Sequence, residues 1–206
     1  NYELITSQDE LNKWIKKCKD SGVFAVDTET TSLNPLDARL VGISLSTDLG
    51  EACYIPLRHK EPEIELDLNQ EEKKSREIKQ LSFERTMVQL KDLFQDKSVL
   101  KIGHNIKYDM LVLLQSDNGG IILNPVEDTM CLSYVLNASR NNHKLDSLVF
   151  EYFNHENIKY EDLCGKGAKQ ISFDQVHPQD AKQYASEDAD FTLRLYKFLK
   201  KQIINE

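Results

Sequence analysis

Val23-Phe24-Ala25-Val26-Asp27-Thr28-Glu29-Thr30 is the stretch on which the reading of this chain turns. Four consecutive apolar residues predict a buried strand, and that strand runs straight into two carboxylates. Side chains alternate across a strand, so Asp27 and Glu29 share one face. The spacing alone means little. With 34 acidic residues in a chain of 206, roughly five or six such pairs arise by chance. The setting matters more, because two like charges beside a core strand are costly unless a cation or a basic partner neutralises them. A strand end whose carboxylates simply reach water carries about equal weight from this segment by itself.

Outward from this strand the elements follow in a clear order. Upstream, Tyr2 to Ile5 predicts a short strand. Ser7 and Glu10 form a capping box for a helix in which Leu11, Trp14, Ile15 and Cys18 repeat at helical spacing, and Gly22 ends it. Downstream, Leu40 to Ser46 and Ala52 to Leu57 read as strands joined by the turn residues Asp48-Leu49-Gly50. Ser82 is the expected cap of a helix carrying Phe83, Met87, Leu90 and Phe94. Val99 to Ile102 is a short strand, with Gly103 at its end. Helices then dominate: Ile106 to Gln115, a helix capped by Asp128 that runs to Asn137, one lined by Leu145, Leu148, Val149 and Tyr152, and a long last helix opened by Pro178. Gly165-Lys166-Gly167 matches neither the phosphate-loop nor the dinucleotide fingerprint and reads as a loop. The order fits one α/β domain, residues 1–206, with a mixed sheet.

Composition narrows the function classes. Hydrophobic residues make up 40% and charged residues 29%, which fits neither a disordered chain nor a membrane protein. The longest apolar run, Met110 to Leu114, is far short of a membrane span. A balance of 26 basic against 34 acidic residues, net −8, argues against binding nucleic acid by phosphate neutralisation alone. It leaves room for an enzyme whose carboxylates gather divalent cations. Much of the charge lies in one run, Lys60 to Lys79, expected as a solvated loop leading into a helix. Cys18, Cys53, Cys131 and Cys164 lack zinc-ligand spacing and read as reduced, mostly buried thiols of a cytoplasmic protein. The first residue, Asn1, suggests a piece of a longer protein.

Two further clusters carry chemistry. His104-Asn105-Ile106-Lys107-Tyr108-Asp109 falls at a strand-to-helix junction, where the ligand sites of α/β sheets gather. On its own it is explained by Asn105 as a helix cap and Asp109 as an exposed acid paired with Lys107. Tyr184 and Asp188, four residues apart, stack on one face of the last helix. Ala181, Ala185, Phe191 and Leu195 turn that face inward, and an inward aspartate needs a partner, a metal being one candidate. A hydrogen bond from Tyr184 to Asp188 as a structural brace is the competing account.

Taken in order, Phe24 to Thr30, His104-Asn105-x-Lys107-Tyr108-Asp109 and Tyr184-x-x-x-Asp188 resemble the three exonuclease motifs of the proofreading 3′→5′ exonucleases, in the variant with four carboxylates and a tyrosine. The resemblance is closest to the exonuclease domains of bacterial family A DNA polymerases, the DNA polymerase I type. It extends through Glu127-Asp128-Thr129-Met130, Leu145-Asp146-Ser147-Leu148, Gly165-Lys166-Gly167 and Ile171-Ser172-Phe173. It covers nearly the whole chain apart from the charged stretch Glu61 to Lys79, which is longer than usual.

The resemblance implies a ribonuclease-H-like fold, a mixed five-stranded sheet flanked by helices. It implies an enzyme, working with two divalent ions, that removes nucleoside monophosphates from the 3′ end of single-stranded or mismatched DNA. Asp27, Glu29 and Asp188 would bind one Mg²⁺ or Mn²⁺, ions suited to all-oxygen ligands. Asp27 would bridge to a second, held by Asp109 largely through water. Tyr184, with Glu29, would orient the attacking water. Leu33 and Phe173 would wedge against the terminal bases, with core packing as the competing account, while Thr30, Asn105 and Lys107 steady the 3′ end. The implied partners are a DNA 3′ end and a covalently attached polymerase domain, and the implied location is the bacterial nucleoid.

Two other functions compete. A ribonuclease D-type enzyme that trims RNA 3′ ends carries the same motif set, and the catalytic core does not separate the two. The other is a catalytically silent domain that only supports an attached polymerase. With all four carboxylates and the tyrosine present, an active enzyme is expected.

Overall fold

The computed structural model describes residues 1–60 and 76–205. Most of the charged run expected as a solvated loop lies outside these residues. The first helix shows how closely local sequence dictates local structure. In α1 (Gln8–Ser21) the Ser7 hydroxyl accepts from the Glu10 backbone amide and the Glu10 carboxylate accepts from the Ser7 amide, which completes the capping box. Leu11, Trp14 and Cys18 are its buried stripe, and Gly22 closes it in the left-handed conformation at φ 69°.

The sheet contains β1 (Tyr2–Leu4), β2 (Val23–Thr30), β3 (Leu40–Asp48), β4 (Glu51–Pro56), β5 (Leu100–Gly103) and β6 (Val126–Asp128), in the spatial order β1-β4-β3-β2-β5-β6. β2 is antiparallel to β3 and parallel to β5, so the strand bearing Asp27 and Glu29 is internal. The sheet is mixed, as expected, but it has six strands among the described residues where five were expected. The extra one, β6, is three residues long and pairs in parallel with β5. Its Val-Glu-Asp sequence offers no apolar alternation to find.

Helices cover both faces. Phe24 and Val26 point into the larger core with α1, α2 (Phe83–Phe94) and α3 (Lys107–Leu114). Ala25 points the other way and packs with Ile102 against Leu193 of the last helix. α4 (Thr129–Leu136) and α5 (Leu145–Phe153) flank that helix, and α6 (Tyr160–Cys164) is a short turn that the sequence pattern did not reveal. The last helix, α7 (Pro178–Asn205), opens at Pro178 as expected. Its Ala181, Ala185 and Ala189 are fully buried, which lets the helix approach the sheet closely.

Ser82 is the N-cap residue of α2, as expected, although its hydroxyl turns to Glu84 instead of making a capping bond. One expected cap is corrected: Asn105 does not cap α3. It sits in the left-handed conformation at φ 59°, and Asp128 accepts from the backbone amides of Asn105 and Ile106 at 2.9 and 3.1 Å. Asp128 also accepts from Met130, at 2.8 Å, at the start of its own helix α4. Three of the four cysteines are buried, Cys131 is exposed, and all four are free thiols.

Candidate active site

The alternation of β2 puts Asp27 and Glu29 on the face of Ala25, toward α7. There a carboxylate oxygen from each of Asp27, Glu29 and Asp188 lies within 4.8 Å of the others. The pairing of β2 with β3 shifts register between Glu29 and Thr30. Such a shift bends the strand where a side chain must be re-aimed. Thr28 faces the opposite way and receives α3: Asp109 accepts from the Thr28 amide at 3.0 Å and from its hydroxyl at 2.5 Å. Asp109 is therefore buried and hydrogen-bonded, and the expectation of an exposed acid paired with Lys107 does not hold.

These groups open into a cavity of about 880 Å³. Asp27, Glu29, Thr30, Leu33, Asn105, Asp109, Tyr184 and Asp188 all line it, so eight of the ten residues expected to act here are brought together. Leu33 is 96% exposed, which rules out core packing for it. Lys107 is exposed and does not line the cavity. Phe173 is corrected: it is fully buried behind Tyr184, their ring centroids 5.9 Å apart, and packs with Val41, Tyr54 and Val176. In this conformation no face of its ring is free for a base, and the packing account holds.

The electrostatics are those of crowded, poorly solvated carboxylates. Burial and then the charges of Asp109, Glu29 and Asp188 hold Asp27 well above the usual carboxylate range. Burial, then Asp188 and Asp109, do the same to Glu29. Burial raises Asp109 to about 7, with the Thr28 hydrogen bonds opposing the rise. Burial and the charge of Asp146 raise Asp188 to about 7. Burial first, and then Glu29, Asp188 and Asp27, push the Tyr184 phenol far up, so it remains a donor at neutral pH.

Among the described residues none of the four carboxylates forms an ion pair, and Oε1 of Glu29 is buried without a hydrogen-bond partner. Lys144 is the one lysine or arginine among the lining residues. An all-oxygen, uncompensated, converging donor set fits a hard divalent cation.

Several contributors escaped the motif reading. Tyr108 reaches from α3 to the Ser32 carbonyl and the Thr30 hydroxyl, which ties the Leu33 loop to the site. His104 lines the cavity and bonds Thr129 at 2.8 Å, and burial lowers its pKa to about 4, so it is neutral. Lys144 and Tyr160 come from segments with no pattern of their own. For Tyr108 and His104 the signal was their place inside the second cluster; for the others there was none.

The family model described as 3′-5′ exonuclease matches residues 2–204. DNA polymerase I of Pseudomonas aeruginosa is 37% identical over 199 residues, covering 97% of this chain and 20% of that protein. The chain thus spans about a fifth of that relative's length. Among solved structures, Escherichia coli RNase D, an exoribonuclease, aligns with a TM-score of 0.66 at 21% identity over 98% of this chain and 45% of that one. Brucella melitensis NrnC with bound Mg²⁺ aligns at 0.63 and 21% identity, covering 100% of this chain and 82% of that one. These two share the fold, which is ribonuclease-H-like as expected.

Proposed function

The chain belongs to the 3′-5′ exonuclease family, and from that premise we propose that it hydrolyses the last phosphodiester of single-stranded or mismatched DNA 3′ ends, releasing nucleoside monophosphates. The observation that carries this reading is the convergence of Asp27, Glu29 and Asp188 beside Tyr184 in one open cavity. Asp27, Glu29, Asp109 and Asp188 are the residues that would hold divalent ions, Mg²⁺ or Mn²⁺. Such ions, when bound, lower the pKa of water and offset phosphate charge. The protein's own groups do the rest. Tyr184, locked in its protonated form, donates to the attacking water and orients it. The unpartnered oxygen of Glu29 accepts from the same water. Leu33, on an exposed loop, meets the terminal base, and Thr30 and Asn105 line the path of the 3′ end.

The similarity to DNA polymerase I over the whole chain, together with the fraction of that protein it spans, supports one exonuclease domain, residues 1–206, working as the proofreading unit of a longer cytoplasmic polymerase. The test is digestion of 3′-labelled single-stranded DNA and matched RNA with Mg²⁺, with Mn²⁺ and with EDTA. Metal-dependent release of mononucleotides from DNA is the expected result. Faster digestion of RNA would instead favour a ribonuclease D-type enzyme, and no release from either would favour a silent domain.

A further inference from the structure

Asp188 faces a problem that Tyr184 alone does not account for: burial raises its pKa, and Asn157 lowers it more than Tyr184 does. Its carboxylate shares its surroundings with Asp27 and Glu29, within 4.8 Å, and like charges turn away from each other unless something holds them. Besides the Tyr184 phenol, which eases the Asp188 charge, a hydrogen bond to Asp188 comes from a residue no motif includes: Nδ2 of Asn157 donates to Oδ1 at 3.3 Å. Asn157 lies in the loop after α5, which leaves that helix at Asn154 in the left-handed conformation. Its side chain is buried, and its own Oδ1 has no partner.

The loop is fastened on both sides of Asn157 by the residue next to Asp188. Glu187 accepts from Nε2 of His155 at 2.9 Å and from the Ile158 amide at 2.8 Å. The His155 ring also stacks on Phe191, with centroids 4.3 Å apart and planes at 19°. Glu187 thus sets where Asn157 stands relative to α7, and Asn157 sets which way the Asp188 carboxylate turns. A neutral amide suits this task. It holds one oxygen by a donated N–H but leaves the negative charge intact, where a lysine or arginine would compete with a cation.

We propose that Asn157 is a positioning residue for Asp188, kept in place by Glu187 through the 154–159 loop. The proposal rests on the reading of Asp188 as a metal ligand. Outer hydrogen bonds of this kind commonly change metal affinity 10- to 100-fold.

The experiment measures Mn²⁺ binding by calorimetry on the wild-type chain, Asn157→Ala, Asn157→Leu, Glu187→Gln and the double variant Glu187→Gln/Asn157→Leu, with melting in EDTA alongside. Leucine matches asparagine in the number and branching of its side-chain heavy atoms, is bulkier, and lacks the donor. Both Asn157 variants are expected to bind Mn²⁺ about tenfold more weakly, and Asn157→Leu to melt in EDTA as the wild type does. The double variant is expected to bind no more weakly than Asn157→Leu alone, since Glu187 acts through Asn157. Wild-type affinity in Asn157→Leu, with the wild type binding normally, overturns the proposal and leaves the functional reading standing. Additive losses in the double variant overturn the role of Glu187. A wild-type chain that binds no Mn²⁺ overturns the ligand reading, and this inference with it.

Discussion

Tyr184 and Asp188 lie one helical turn apart in α7, yet their chemistry differs. Burial and neighbouring carboxylates keep the phenol protonated, so it retains a proton to donate. Tyr184→Phe is expected to bind Mn²⁺ as the wild type does and to slow single-turnover cleavage about 10- to 100-fold, the worth of one lost orienting hydrogen bond at ~1.5–3 kcal/mol. If the variant instead loses metal affinity in step with activity, the tyrosine is a brace. Asp188 gives a pH prediction. Its pKa is raised by burial, then by the charge of Asp146, to about 7 in the metal-free fold. The fold therefore holds the proton more tightly than the unfolded chain does, and stability falls as pH rises from about 4 through 7. Asp188→Asn removes that penalty. In EDTA at pH 8 the variant should be more stable by on the order of 2 kcal/mol and melt several degrees higher. The difference should vanish near pH 4. Equal melting temperatures at pH 8 would mean that the fold does not penalise the ionised Asp188 carboxylate, by burial or by repulsion.

Elements, not only side chains, place the site. β2 supplies two carboxylates by alternation, α7 supplies Tyr184 and Asp188 one helical turn apart, and α3 approaches from the opposite face through Thr28. Where α3 begins depends on Asp128, whose carboxylate receives three backbone amides from two helix starts. Replacing it should uncap both helices at once. Asp128→Ala is expected to cost more than a single cap, about 2 kcal/mol, and to lower the melting temperature by roughly 4–8 °C. Because Asp109 rides on α3, Mn²⁺ binding should weaken too. A loss of stability with unchanged Mn²⁺ binding would show that the start of α3 does not control the site. The sequence marked Asp128 as the cap of one helix, since that bond is local; its second duty spans more than twenty residues and no pattern reports it.

At the scale of the whole molecule the net charge of −8 and the cavity set the terms of substrate binding. Among the described residues a single lysine lines the cavity and no arginine does, so few phosphates can be neutralised. Each single-strand phosphate contact contributes about −0.7 to the slope of log affinity against log salt. A slope shallower than about −2 is expected, and a slope near −5 would contradict this picture. On the proposed function a 3′ end enters the cavity unpaired, and unpairing costs free energy. Mismatched primer ends should therefore be degraded faster than matched ones, at equal metal; equal rates would refute it. Among the described residues no helix is long and apolar enough to cross a membrane.

Most elements were legible from the chain alone because their signals are local: a capping box seven residues in, period-two and period-3.6 apolar patterns, glycine where φ must be positive. The four carboxylates and Tyr184 were legible as three ordered clusters, and strand and helix periodicity already assigned the faces of Asp27, Glu29, Tyr184 and Asp188. Tertiary structure decided what those faces meet. It added β6, too short and polar to announce itself, and it moved Phe173 from the expected base contact into the core, since burial depends on what packs over a residue from elsewhere. It took Asp109 from an exposed ion pair with Lys107 to a buried acceptor for Thr28, and it brought Asn157 to Asp188 across thirty-one residues. Periodicity states which side of an element a residue occupies; only the packing of distant segments states which partner, or how much water, it finds there.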